Sequence, residues 1–117
     1  MSWPESLDAL SAAPAHHRKL FENESVRVLE ARIGAGETTA VHTHRWPSVQ
    51  HVLATTDFVR RDADGAILLD TRTDGGRPER GDTLWSGPFA PHSLENVGPD
   101  DLLVLMVEIK NAAPAVS

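Results

Sequence analysis

Cysteine is absent from the 117-residue chain. That removes disulfides, thiolate metal sites and cysteine nucleophiles, and it fits a cytoplasmic location. Basic side chains are scarce too: 11 Lys and Arg stand against 17 Asp and Glu, for a net charge of −6. They form no cluster, so a nucleic-acid partner is not expected. No apolar run reaches membrane-spanning length. The opening MSWPESLDAL has neither a basic start nor an apolar stretch, so neither a signal peptide nor a membrane partner is expected. Internal repeats and low-complexity segments are also missing.

What remains is a soluble, globular profile, with 40% apolar and 24% charged residues in a length that suits one domain. Residues 1–19 carry two prolines and no sustained periodicity, and they read as an N-terminal arm or short helix. From residue 20 to 110 the chain becomes a series of short β-rich runs with Gly, Pro and Asp between them: 25–33, 38–44, 49–61, 66–73, 83–86, 92–97 and 102–110. Asp64-Gly65 between two such runs is a hairpin signal. Seven or so strands at this spacing predict an all-β sandwich or barrel. The last run, LLVLMVEIK, is apolar at nearly every position; one face would meet the core and the other a partner subunit. Residues 111–117 read as a flexible tail.

The histidines carry the chemistry. Residues two apart on a strand share a face, about 6.6 Å apart. His42 and His44 in TTAVHTH would then converge on one ion. Alone, an HxH pair is as readily two surface residues of an edge strand, and a third ligand decides between the readings. His92, after the restricted stretch GPFAP, is the candidate. His51 has the opposite parity if the strand runs unbroken from His44, and reads as structural or supporting. Pro47 complicates that count. His16 and His17 lie in the arm and read as solvent-exposed.

These residues resemble the motifs of the cupins, small double-stranded β-helix (jelly-roll) barrels, and among them small bacterial members. The first motif, G-x5-H-x-H-x3,4-E-x6-G, is matched by Gly36, His42 and His44. The second, G-x5-P-x-G-x2-H-x3-N, is matched by Gly81, His92 and Asn96, with Gly87 and Phe89 where proline and glycine are usual. The chain departs from the first motif at its acid, where Ser48 or Val49 stands, and at its last glycine, replaced by Thr55. The resemblance implies a cupin barrel over residues 20–110 and one divalent transition metal per chain, held by His42, His44 and His92. Fe, Zn, Ni, Mn and Cu all remain open. It also implies a homodimer, since cupins commonly pair through sheet faces or exchanged N-terminal strands.

Three neutral imidazoles leave the ion's charge uncompensated, so the expected small-molecule substrate or ligand is anionic or metal-chelating. Gln50, which shares the parity of Ser48, is a candidate for the fourth position. Trp46 and Phe89 are candidates for the pocket, with core packing an open alternative for Trp46; Trp85 and Phe58 read as core. Glu37, Glu95 and His51 lie near the motifs, but none is assigned as a general base. Three functions follow. The first is an oxygen-using, dioxygenase-type oxidoreductase; the second is a non-redox cyclase, lyase or isomerase; the third is a metal- or ligand-binding module without turnover.

Overall fold

The computed structural model describes residues 3–110, so the expectation of a flexible tail at 111–117 lies outside the described residues. Nine strands are present among them: β1 (His17–Glu22), β2 (Val26–Ile33), β3 (His42–His44), β4 (Ser48–Ala54), β5 (Phe58–Asp62), β6 (Ile67–Asp70), β7 (Thr83–Ser86), β8 (Phe89–Asn96) and β9 (Leu102–Ile109). They make a five-stranded sheet, β1-β2-β9-β4-β7, and a four-stranded sheet, β3-β8-β5-β6. From β2 onward the chain crosses between sheets at almost every connection, the β5–β6 hairpin excepted. One-turn helices α1 (Ala9–Ala12) and α2 (Thr71–Asp74) precede β1 and follow β6. No helix among the described residues is long and apolar enough to cross a membrane.

Alternation of side chains explains how the sheets close. On β2, Arg27, Leu29, Ala31 and Ile33 are buried, while the residues between them are more exposed. Ile33 and Leu102 of the larger sheet meet Phe58 of the smaller, with Leu69 and Leu94 packed alongside. A second cluster joins Leu29, Ala31 and Met106 to Ala9 of α1. The motif glycines Gly36 and Gly81 take φ of +80° and +92°, in the left-handed region that other residues enter at a cost.

Several boundaries differ from the sequence reading. The arm is part of the barrel: β1 begins at His17, and Ala9 is fully buried. In 38–44 only His42–His44 is strand, with Thr38 making a lone bridge to Glu95. The run 49–61 splits at 55–57 into β4 and β5, which lie in different sheets. Residues 71–73 form a helical turn because the Asp70 side chain caps it, accepting from the Arg72 amide at 3.0 Å. Phe58 is core, as expected, but Trp85 is 64% exposed. It sits on the edge strand β7, opposite Val49 on the outer face.

One row of that outer face is apolar across all five strands. Phe21 pairs with Val28, Val28 with Val107, Val107 with Val49 and Val49 with Trp85.

Leu29 has no exposed surface. Leu29→Ala is expected to lower unfolding free energy by about 2–5 kcal/mol, measured by urea denaturation; a loss below 1 kcal/mol would mean the α1 side of the barrel is not tightly packed.

Candidate metal centre

The short strand β3 places two imidazoles on one inner face, and β8 brings a third. His42 lies directly opposite His92 in the register, and their ring centroids are 4.4 Å apart. His42 and His44 stand 5.0 Å apart, and His44 and His92 5.7 Å. All three are buried. The rings of the three residues expected from sequence are thus neighbours, but the trio with nitrogens close enough to share one ion is a different one.

A fourth histidine joins them that sequence reasoning missed. His17, expected at the surface, is 7% exposed, and its ring lies 4.6 Å from His42 and 5.3 Å from His44. One ring nitrogen from each of His17, His42 and His44 lies within 4.8 Å of the others, a set able to hold a metal ion. His92 flanks that set. The cause is a long-range contact: Ala9 of α1 packs on Leu29 and Met106, and the chain then enters β1 with His17 inward, opposite Ala31. His16 points away, 3.3 Å from the Glu37 carboxylate. The signal in the sequence was the missing acid itself, which left one ligand position to be filled from elsewhere.

Every ring of the four is oriented by its Nδ1. His17 Nδ1 donates to Ala13 O at 3.0 Å, His42 to Ala40 O at 2.7 Å and His92 to Ala90 O at 2.8 Å. His44 Nδ1 donates to Glu108 Oε2 at 3.2 Å. Each partner can only accept, so each Nδ1 carries the hydrogen, and in a neutral ring the lone pair is then on Nε2. This is the arrangement of metal-binding histidines. Burial pulls the pKa of His17 down to about 3, helped by His42 and His44, and that of His92 to about 3, helped by His42. Burial likewise lowers His42 to about 4, against the opposing hydrogen bond to Ala40. Near neutral pH these three rings are uncharged and competent to bind a cation.

Behind His44 lies a chain of buried charge. Glu108 Oε1 accepts from Arg27 Nε at 2.6 Å, and Arg27 Nη1 and Nη2 donate to the two Asp8 oxygens at 3.0 and 2.8 Å. Burial alone would raise the Asp8 pKa, but the Arg27 guanidinium outweighs it and holds that pKa below the usual value.

The four histidines line one cavity, about 480 Å³ with its mouth, together with Gln50, Arg60, Phe89 and an apolar wall that includes Ile33, Leu94 and Met106. Gln50 and Phe89 thus both line the cavity, and Gln50 donates to Ser48 Oγ at 3.3 Å. Ser48 is fully buried but does not line the cavity. Trp46 does not line it either: Arg45 and Arg27 lie over its ring at 4.2 and 4.9 Å from the centroid. His51 faces outward, bound through Nδ1 to Thr83 Oγ1 at 2.8 Å. Among the described residues no acid lines the cavity: Glu37 reaches back to the Gly34 amide, and Glu95 is paired to Arg61 at 2.8 Å.

The sequence matches no family model and no curated protein. The architecture does match solved structures. A cupin domain from Bordetella pertussis superposes with a TM-score of 0.65 at 21% identity, covering 80% of this chain and 91% of that one. A double-stranded β-helix protein from Klebsiella pneumoniae gives 0.57 at 17% identity over 84% and 78% of the two chains. The fold is the cupin fold. A third similar structure is the polyketide cyclase RemF from Streptomyces resistomycificus, with a TM-score of 0.54 at 18% identity over 84% of this chain and 66% of that one. In cupin terms, β3 carries the first motif's histidines and β8 the second's.

The lowered histidines make metal-free stability depend on pH with a definite sign. Above pH 6.5 both the folded and unfolded forms of His17, His42 and His92 are neutral, and their contribution is fully present. Below it the unfolded chain takes up protons that the folded cavity refuses until about pH 3–4. Stability of chelator-treated protein should therefore fall as pH drops from 6.5 towards 4, by up to about 1.4 kcal/mol per pH unit for each histidine. Urea denaturation at a series of pH values reads this directly; a flat profile would show the rings to be open to protons in the native state.

Proposed function

We propose that this cupin-fold protein binds one divalent transition metal per chain in its barrel and uses it on a small anionic molecule, in a non-redox reaction of the cyclase, lyase or isomerase kind. The observation that carries this reading is the four buried imidazoles on one cavity, each with Nδ1 spent on an oxygen and Nε2 free. His17, His42 and His44 form the set, and His92 stands beside it against the His42 ring. A metal held there supplies Lewis acidity towards a carbonyl or a water molecule.

The neutral donor set favours this reading over the dioxygenase-type reaction expected from sequence: with no carboxylate beside His17, His42 and His44, a bound ion would keep its full charge and act as a strong Lewis acid. A polyketide cyclase among the similar structures supports it in a limited way, since that likeness is one of fold. The residues of this chain hold the substrate and keep water out: the apolar wall excludes solvent, and Gln50 offers an amide next to the histidines. With no lining acid, proton movement belongs to the substrate and water rather than to a carboxylate of the protein. The second reading, an iron-dependent reaction with dioxygen, is favoured by that same apolar wall, which would admit the gas.

Metal analysis of untagged protein should find about one equivalent of a divalent ion per chain. His17→Ala and His42→Ala should each weaken binding by about 100-fold or more, while His51→Ala should leave it unchanged. Retention of full affinity by His42→Ala would sink the site. Oxygen uptake after anaerobic Fe(II) loading, across a panel of chelating acids, would hand the case to the second reading.

We also propose a homodimer through the outer face of the larger sheet, where Phe21 and Trp85 are 54% and 64% exposed at the two ends of the apolar row. A two-fold partner would lay the same row against it. Light scattering should give a dimer for the native chain and a monomer for Val107→Lys. A monomeric native chain at micromolar concentration would remove the proposal.

A further inference from the structure

Two arginines sit side by side on β5 and differ in their surroundings. Arg61 is paired with Glu95 at 2.8 Å. Arg60, on the same face of the strand as the core residue Phe58, turns into the cavity. Among the described residues its side chain has no ion pair and no hydrogen bond. Its guanidinium lies over aromatic rings, 5.1 Å from the Phe89 centroid and 5.8 Å from that of Phe58. Phe89 in turn lies 5.3 Å from the His92 ring, so Arg60 stands one aromatic ring away from the histidine cluster. Burial lowers its pKa, yet a guanidinium stays charged in proteins.

A cation in such a place is costly to keep. Partly withdrawn from water and unpaired, it loses hydration without gaining a counter-charge. Exposed arginines elsewhere in the chain find carboxylates: Arg18 with Glu30, Arg32 with Asp101 and Arg72 with Asp70. The cavity itself holds no acid to neutralise Arg60. Its donors are planar and forked, which suits a carboxylate better than a point-like anion.

We infer that Arg60 is the specificity-determining anchor of the cavity, binding the carboxylate of a small organic acid whose apolar body lies on Phe89 and the aliphatic wall. This names the substrate class for the reading given above and rests on it for the chemistry. The anion contact itself does not require the metal. The acid enters with its carboxylate on Arg60 and its apolar body on Leu94 and Ile33, leaving the far end of the molecule for the histidines.

The test uses benzoate and hexanoate as probes, with benzamide and hexanamide as neutral counterparts. Binding is followed by NMR titration and calorimetry on the full chain, both chelator-treated and metal-loaded. The native protein should prefer each acid over its amide, and Arg60→Gln should weaken acid binding by about 10- to 100-fold in both forms while amide binding is unchanged. Metal stoichiometry should be the same in Arg60→Gln as in the native chain. Arg60→Met should raise the thermal midpoint of the ligand-free protein, because it removes an unpaired charge; a packing role would lower it. Equal binding of acid and amide by the native chain, or of acids by native and Arg60→Gln proteins, overturns the inference. If the protein binds no metal but Arg60 still selects acids, the metal reading fails and this one stands.

Discussion

Glu108 has no exposed surface, and a carboxylate so placed is held only if its partners are held too. Arg27 meets it at 2.6 Å and meets Asp8 through two further hydrogen bonds. Removing one member of such a chain leaves an uncompensated buried charge, at a cost of about 3–5 kcal/mol. The three groups come from the cap of α1, the start of β2 and the end of β9, and Glu108 then grips His44 of β3. Four distant stretches of sequence are thereby fixed to one another. The arm's attachment to the barrel and the tautomer of a central histidine are one structural problem with one solution.

The same chain sets the electrostatics of the cavity. Its acids lie in the wall, behind a histidine and facing an arginine, so their charge does not line the site. What lines it is a cluster of imidazoles, three of them kept neutral mainly by burial, and the unpaired Arg60. A chain with a net charge of −6 therefore presents a non-negative interior. A metal ion would make that interior strongly positive, and the neutral rings accept one without a proton first having to leave. The anion preference proposed for the cavity needs no special device beyond this separation of wall from lining.

The sequence was most legible where a contact is local or periodic. Punctuated β-runs yielded the fold class. The i,i+2 spacing of His42 and His44 put both rings on one face, and the second motif found His92 across the barrel. His51 does face outward, but parity is not the reason, because the chain breaks at 45–47 and β3 and β4 lie in different sheets. Legibility failed where a long-range contact overrides local pattern. His17 looked like part of a polar arm because nothing near it in sequence says that Ala9 packs on Leu29 and Met106. Trp85 looked like core because its size suggests burial, but β7 is an edge strand and the residue lands on the outer face. Trp46 lies two residues from His44 in sequence yet is drawn away by Arg27 and Arg45.

The missing acid of the first motif finds its explanation in the register. Ser48 stands directly opposite Glu108 on the neighbouring strand, and both are fully buried on the same face. Directly opposed residues hold their Cβ atoms about 4.5–5.5 Å apart. A glutamate at position 48 would thus set a second carboxylate against Glu108, and like charges in a buried site drive one of them to protonate. Serine at 48 and glutamate at 108 are one choice. The acid present in this chain stands where it orients His44 rather than where it would face the cavity, and His17 enters the cluster from the arm. The cluster is thereby built of neutral donors, so an ion held there would keep its full charge.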